Sequence, residues 1–386
     1  MASSFRVVQH TVKGSHTREY IRATANGDAD TPTLSVKQYI PLDNPTPKPG
    51  DVTIIGAHAN GFPKELYEPL WEEIYQRASQ AGIRIRSIWI ADMWSQGQSG
   101  VLNEKILGND RHSMGGTQLA LLSLGHPRLL RSLVLIDPVI QVPNSSIPPA
   151  MSSTSRQDIW PSKDAATSRF KGSKFFQSWD PRVLDLWLEH GLRQVPTELY
   201  PAEHAEEDKR FTLTTSKHQE LFTFLRPSYP KVPGETYVDK DPISDEEYPG
   251  YPFYRPEPVY VFRRLPELRP SILYIFGEKS NISLPEQRRL KMTLTGTGVG
   301  GSGGVAAGRV KQETFDCGHL VPMEKVTECA VAITVFLGDE LKLWRQEKAE
   351  FEQYWNEKSR TEQITIDKDW ARKVDPKAIP AGKTKL

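Results

Sequence analysis

The chain carries almost no net charge: 49 lysines and arginines stand against 48 aspartates and glutamates, for a balance of +1. That cancellation leaves no electrostatic case for nucleic acid or an anionic membrane as a partner. Cysteine is nearly missing too. Cys317 and Cys329 are the only two, too few for a disulfide framework and without the neighbours of a metal-ligand array, and an intracellular, reducing setting fits them. No apolar run approaches the ~20 residues that cross a bilayer, so no membrane span is expected. The opening residues, MASSFRVVQHTVKG, have no apolar stretch of the kind that marks a secretory signal.

What is present is 386 residues, enough for one large α/β domain with an inserted subdomain or for two ordinary domains. FRVVQHTV (5–12), REYIRAT (18–24), LSVKQYIP (34–41), DVTIIGAH (51–58) and IRIRSIWIAD (83–92) read as strands bounded by Gly, Asn, Asp and Pro clusters. A helical stretch, 64–82, stops at Gly82, a C-cap residue. A helix at 115–124, the strand LVLIDPVI (133–140), PSILYIFG (270–277) and GRVKQETF (308–315) follow. Strands alternating with helices predict a mostly parallel sheet with helices on both faces.

Between Ile140 and Pro270 the pattern changes to Pro, Ser, Trp and Tyr, with helices expected at 181–191 and around 214–226. This suggests an inserted helical cap held together by Phe175, Phe176, Trp179 and Trp187. The division expected is therefore a core of 1–140 with 271–360, a cap of 141–270 and a tail of 361–386. Trp344, Phe351 and Trp355 form an apolar stripe on a C-terminal helix, and the chain beyond about Thr361 reads as extended or loose. Gly296, Gly298 and Gly301 match G-x-G-x-x-G, but they follow a helix and lead into a strand. A dinucleotide loop does the reverse, so this is read as a flexible loop.

Four segments could carry chemistry, in a sensible order. HANGFPKE (58–65) leaves a buried strand and could aim backbone N–H groups at an oxyanion. HSMGG (112–116) would lift Ser113 on a strand-to-helix turn, with the Met114 N–H as an oxyanion donor. The loop Asp316-Cys317-Gly318-His319 follows the last strand, where His319 could act as the general base for a serine at the same sheet edge. The acid is the least determined. Ser280 stands three residues past Gly277, Glu278 is nearby, and Asp137 ends the central strand LVLIDP and is the better candidate.

The order HANGF, ADMWSQGQSG (91–100), HSMGGTQ, HPRLLRSLVLIDP and GHLVPMEK resembles the α/β-hydrolase family. HANGFPKELYEP, SGVLNEKILGND, TSKHQELFTFLRP and the glycine-rich loop are similar, more narrowly, to a fungal branch that includes a yeast peroxisomal lipase and hydrolases of host-selective toxin gene clusters. The resemblance covers roughly residues 5–340. It implies the α/β-hydrolase fold and a serine esterase or thioesterase acting on a small-molecule acyl ester or thioester, with a place in peroxisomes and secondary metabolism. By position it implies Ser113 as nucleophile, His319 as base, Asp137 as acid and Asn60 and Met114 as oxyanion donors, with no metal and no organic cofactor. Thr384-Lys385-Leu386 approximates the S-K-L address read by a peroxisomal import receptor.

One piece is missing from this pattern. A parallel strand leading into Ser113 needs a crossover of a dozen residues or more. Only 20 residues separate Asp92 from Ser113, and VLNEKILGNDR (101–111) holds four scattered apolar residues. Arg111 stands where the first glycine of G-x-S-x-G belongs. A helix and a central strand, ~25 residues together with their connections, are expected to be absent. The competing reading is therefore a non-catalytic α/β-hydrolase-like binding protein or inactive product.

Overall fold

Alternating apolar residues in Phe5–Lys13 and Thr33–Pro41 give each segment one face to bury. In the computed structural model they are β1 and β2, paired antiparallel from Phe5 opposite Pro41 to Lys13 opposite Thr33. The structure describes residues 4–15, 23–109, 115–142, 145–202, 208–227 and 253–374. Most of the expected strand 18–24 lies outside them. β3 (Val52–Ala57) follows, and then α1 (Glu68–Gln80), entered through a 3-10 turn at Lys64–Tyr67. α1 buries Leu70, Trp71, Ile74 and Ala78, one stripe of a 3.6-residue period. Beyond its end Gly82 has φ +68°, the left-handed conformation that suits glycine after a helix. β4 (Ile85–Ala91) lies parallel to β3 and antiparallel to β2, which gives the order β1-β2-β4-β3.

After α2 (Gly97–Leu102) and α3 (Gly115–Gly125) the chain enters β5 (Ser132–Ile136). The stretch that follows holds α4 (Ile147–Ser155), β6 (Ile159–Trp160), α5 (Lys163–Lys171), α6 (Lys174–Gln177), α7 (Pro181–His190), β7 (Leu192–Gln194), β8 (Phe211–Leu213), α8 (Lys217–Phe224), β9 (Arg226–Pro227), β10 (Phe253–Tyr254) and α9 (Pro256–Arg263). β6, β8 and β7 form a small antiparallel sheet. Its neighbours pack through aromatic rings: Trp187 meets Phe170 edge-on at 5.6 Å and stacks on Phe176 at 5.8 Å, and Phe62 meets Trp179 edge-on at 5.4 Å. Phe170, Trp179 and Trp187 are buried and form the interior of the segment. α7 starts where Asp180 accepts the Arg182 N–H and Pro181 supplies a pre-set first turn.

β11 (Ser271–Gly277), α10 (Pro285–Leu294), β12 (Val310–Phe315), α11 (Val321–Glu324) and α12 (Val326–Asn356) complete the order. β11 lies parallel between β5 and β12 and is buried along its whole length. Leu133, Leu135, Ile272, Tyr274 and Phe276 pack with Ala120, Val261 and Leu265 in one core. The glycine-rich stretch runs from α10 towards β12. It is wound against the chain instead of loose, with the Gly298 N–H on Pro266 O and the Gly303 N–H on Gly296 O.

The seven long strands do not make one sheet. Four pair as β1-β2-β4-β3 and three as β12-β11-β5. Among the described residues, β3 and β5 each have a strand on one side only. Both edges reach the start of α3. A β-carbon on Gly115 would lie 2.8 Å from the Ala57 backbone, and one on Gly116 would lie 3.5 Å from Pro138 and 3.8 Å from Leu135. Parallel strands are ordinarily covered on both sides, yet Ile55 of β3 is 51% exposed and Leu121 and Leu122 of α3 are exposed as well. The interruption follows from chain length: the connection from β4 to α3 is too short to supply the intervening strand.

The chain divides into two units, Met1–Phe336 and Leu337–Leu386, the second beginning within α12. In the second unit Phe351 stacks on Trp355 at 5.8 Å. The expectation of extended or loose chain past Thr361 is corrected by α13 (Arg360–Ile364) and α14 (Lys368–Val374). Ser359 and Glu362 cap α13 reciprocally.

Candidate active site

The parallel strands β3, β4, β5, β11 and β12 end in loops, and the polar residues singled out by the sequence are concentrated there. Asp137 ends β5. The sequence suggested a strand through to Ile140, but Asp137 turns out of it with φ +41° and Pro138 follows, which stops the extended run one residue beyond Ile136. Aspartate is one of the few non-glycine residues that tolerate this conformation. Its N–H still bonds Ile275 O at 2.7 Å, so the backbone is held by β11 while the carboxylate points elsewhere.

That carboxylate is fully buried and surrounded by donors. His319 Nδ1 lies 2.7 Å from Asp137 Oδ2, the Ser280 hydroxyl donates to the same oxygen at 2.5 Å, and the Gly277 N–H reaches Oδ1 at 3.3 Å. Burial alone would push the Asp137 carboxyl up, but the His319 and Ser280 hydrogen bonds and the nearby imidazole hold it below its ordinary value. His319 itself is partly open to solvent. The loop that bears it is pressed on the end of β11. A β-carbon at Gly277 would collide with the Gly318 carbonyl, and the Lys279 N–H bonds Cys317 O at 3.0 Å. Nearby, the Lys291 ammonium of α10 is buried with no hydrogen-bond partner among the described residues, 5.9 Å from the Phe276 ring centre. Burial pushes it down to about 8, against the opposing pull of Asp137.

The loop after β3 is fixed from three directions. His58 Nε2 accepts the Met93 N–H at 2.8 Å, and the Ala59 N–H donates to Tyr67 Oη at 2.9 Å. The Gly61 N–H donates to Gln96 Oε1 at 2.8 Å, and Gln96 Nε2 donates to Asn60 Oδ1 and Thr223 Oγ1. Asn60 Nδ2 in turn bonds Glu220 O at 3.0 Å, tying the loop to α8. Gly61 has φ +85°, and a β-carbon there would meet the Glu220 carboxylate at 2.9 Å. Lys64, at the end of the loop, places both its N–H and its ammonium on buried Asp92, at 2.9 and 2.6 Å. The Asn60 N–H, by contrast, meets no acceptor among the described residues.

The structure thus brings together His319 and Asp137 and places Asn60 on the β3 loop. Ser113 and Met114 lie outside the described residues, as do Thr384, Lys385 and Leu386. Glu278, the alternative acid, is exposed, and its N–H is bound to Phe315 O. Three features escaped the sequence reading: the anchoring role of Gln96, the buried Lys64–Asp92 pair and the role of Ser280. A polar residue in a loop looks solvated until the fold buries it. A usable signal was the run of Asp, Ser, Gln and Gly in 92–100, which is too polar for a strand and too constrained for open loop. Among the described residues no group of three or more His, Cys, Asp or Glu side chains could hold a metal ion, and no helix is long and apolar enough to cross a membrane.

No family model matches the chain. The type I acyl-CoA thioesterase mpaH' of Penicillium brevicompactum is 35% identical over 437 aligned positions, covering 99% of this chain and 97% of the relative. The chain belongs to the α/β-hydrolase family of these thioesterases. The abhydrolase domain-containing protein ACTT2 of Alternaria alternata is 27% identical, covering 69% of the chain and 96% of that protein. Among solved structures, the peroxisomal α/β-hydrolase Lpx1 of Saccharomyces cerevisiae superposes with a TM-score of 0.63 at 14% identity, over 94% of the chain and 99% of its own, a likeness of fold. The alignment with mpaH' is longer than this chain. Its 437 positions exceed the 386 residues here, so at least 51 of them face no residue of this α/β hydrolase.

Proposed function

We propose that the protein is a serine hydrolase that cleaves a small-molecule acyl thioester, or the corresponding ester, in fungal secondary metabolism. The observation that carries the reading is the His319–Asp137 pair, 2.7 Å apart at the C-terminal ends of the parallel strands. A buried carboxylate on Nδ1 leaves Nε2 facing outward as a base. In this reading Nε2 takes the Ser113 hydroxyl proton as Oγ attacks the acyl carbonyl. The backbone N–H groups of Asn60 and Met114 hold the oxyanion. The protonated imidazole then gives its proton to the leaving sulfur or oxygen, and water reverses the sequence on the acyl-enzyme. Two further facts support it. Of the N–H groups on the β3 loop, those of Ala59 and Gly61 are already spent, whereas that of Asn60 is not engaged among the described residues. Gly115, two residues past Ser113, lies against Ala57, and Gly116 lies against Pro138, the neighbour of Asp137. The choice of a thioester rests on the mpaH' relative being an acyl-CoA thioesterase.

A second reading, a non-catalytic member of the family, is favoured by the open edges of β3 and β5. A fluorophosphonate probe separates the two. Labelling of the intact protein that is lost in Ser113→Ala is the expected result. A folded protein that takes up no label would establish the second reading. We propose in addition that Thr384-Lys385-Leu386 serves as a peroxisomal address, a reading supported by its likeness to S-K-L alone.

A further inference from the structure

Ser280 occupies the position that the sequence marked as missing its acid. Its surroundings give it a different task. The residue is buried, and its Oγ accepts two backbone N–H groups, from Ile282 at 3.2 Å and Ser283 at 3.3 Å. A hydroxyl has two acceptor sites and one proton. With both acceptor sites taken, the proton has one direction left, and it points at Asp137 Oδ2, 2.5 Å away. Asp137 therefore receives hydrogen bonds from three donors, Ser280 Oγ, the Gly277 N–H and His319 Nδ1. A side chain that must accept three bonds is held in one rotamer as an acceptor.

We propose that Ser280 is a positioning residue that fixes the Asp137 carboxylate against His319 Nδ1 and disperses its charge. The inference rests on the proposed role of His319 as base and names what sets that base's orientation. β5 supplies the acid, β11 and the turn after it supply the two donors that hold it, and the loop after β12 supplies the imidazole. The serine is thus a working part of a relay that draws its acid from a different strand, and does not mark a lost one.

The charged and titratable groups around the pair are Lys291 and Arg288 on α10, Glu324 on α11, and Cys317 and Lys325 on the adjoining loops. All are unchanged by a substitution at 280, so a difference between variants reports on the serine. The test is a titration of the His319 imidazole by NMR on protein labelled with 15N-histidine, with His319→Gln to assign the signal. In Ser280→Ala the carboxylate loses a donor, its charge concentrates on the imidazole side, and the protonated ring is favoured. The His319 midpoint should move to higher pH by about half a unit. Ser280→Thr, which keeps the hydroxyl, should restore the original midpoint. If Ser280→Ala does not fold, Ser280→Cys, a weaker donor of similar size, should give a smaller shift in the same direction. A folded Ser280→Ala or Ser280→Cys protein whose His319 titration matches the unsubstituted chain overturns the proposal. This readout does not require Ser113 to react, so a failure of the hydrolase reading shows as absent probe labelling and leaves the titration to decide on Ser280.

Discussion

At the scale of single residues, the site is a set of buried charges, each answered by its neighbours except one. Asp137 has three donors and Asp92 has Lys64, but the Lys291 ammonium has no hydrogen-bond partner among the described residues. The sign of its effect on stability follows from where it titrates. Its folded value, about 8, lies below the ordinary 10.5. Between those two values the unfolded chain holds a proton that the folded protein has released, so stability rises with pH through this window. Below about pH 8 the lysine is charged in both states and the full cost of burying it remains. Lys291→Met should therefore be more stable than the parent at pH 7, by about 3 kcal/mol, with the advantage shrinking as pH climbs towards 10.5. Thermal melts of both proteins at pH 7, 9 and 10.5 check this, and a constant difference would sink it. Asp137 could be read from the sequence because an apolar strand broke off at Asp-Pro. Lys291 and Ser280 could not, since nothing local distinguishes a buried lysine or serine from a wet one.

At the scale of elements, most strands were legible because their apolar runs are bounded by Gly, Pro and Asn. β11 is the clearest case, an unbroken apolar run that the fold buries from end to end. The aromatics of residues 170–187 were also visible, but composition cannot tell an interior from a binding surface, and the rings turn out to pack on one another. The absent strand was legible as a length: too few residues between Asp92 and Ser113. The structure returns it as two sheets whose facing edges are unpaired among the described residues. Restoring a helix and strand of ~25 residues between Asp110 and Arg111, taken from the corresponding part of the mpaH' relative, should raise the melting temperature by at least about 5 °C. The urea m-value should rise too, because more surface would be buried on folding. An inserted protein that melts no higher than the parent would show that the two edges do not await a strand.

At the scale of the whole molecule, a likeness spanning nearly the full length of a thioesterase says more about family than any local feature does. The proposed address can be tested only here, in the intact chain. A fluorescent protein fused ahead of residue 1 should give punctate fluorescence that coincides with a peroxisomal marker in a fungal cell and becomes diffuse when Thr384-Lys385-Leu386 is deleted. Diffuse fluorescence of the intact fusion would refute it. The unpaired edge of β3 matters at this scale as well. Among the described residues no second strand pairs with β3 beyond β4, and Ile55 on it is half-exposed; an edge left in that state is a template on which another copy can add a strand. Crowding would then convert an intramolecular vacancy into intermolecular polymer, so the yield of soluble protein becomes a question of concentration and chaperone supply before it becomes one of catalysis.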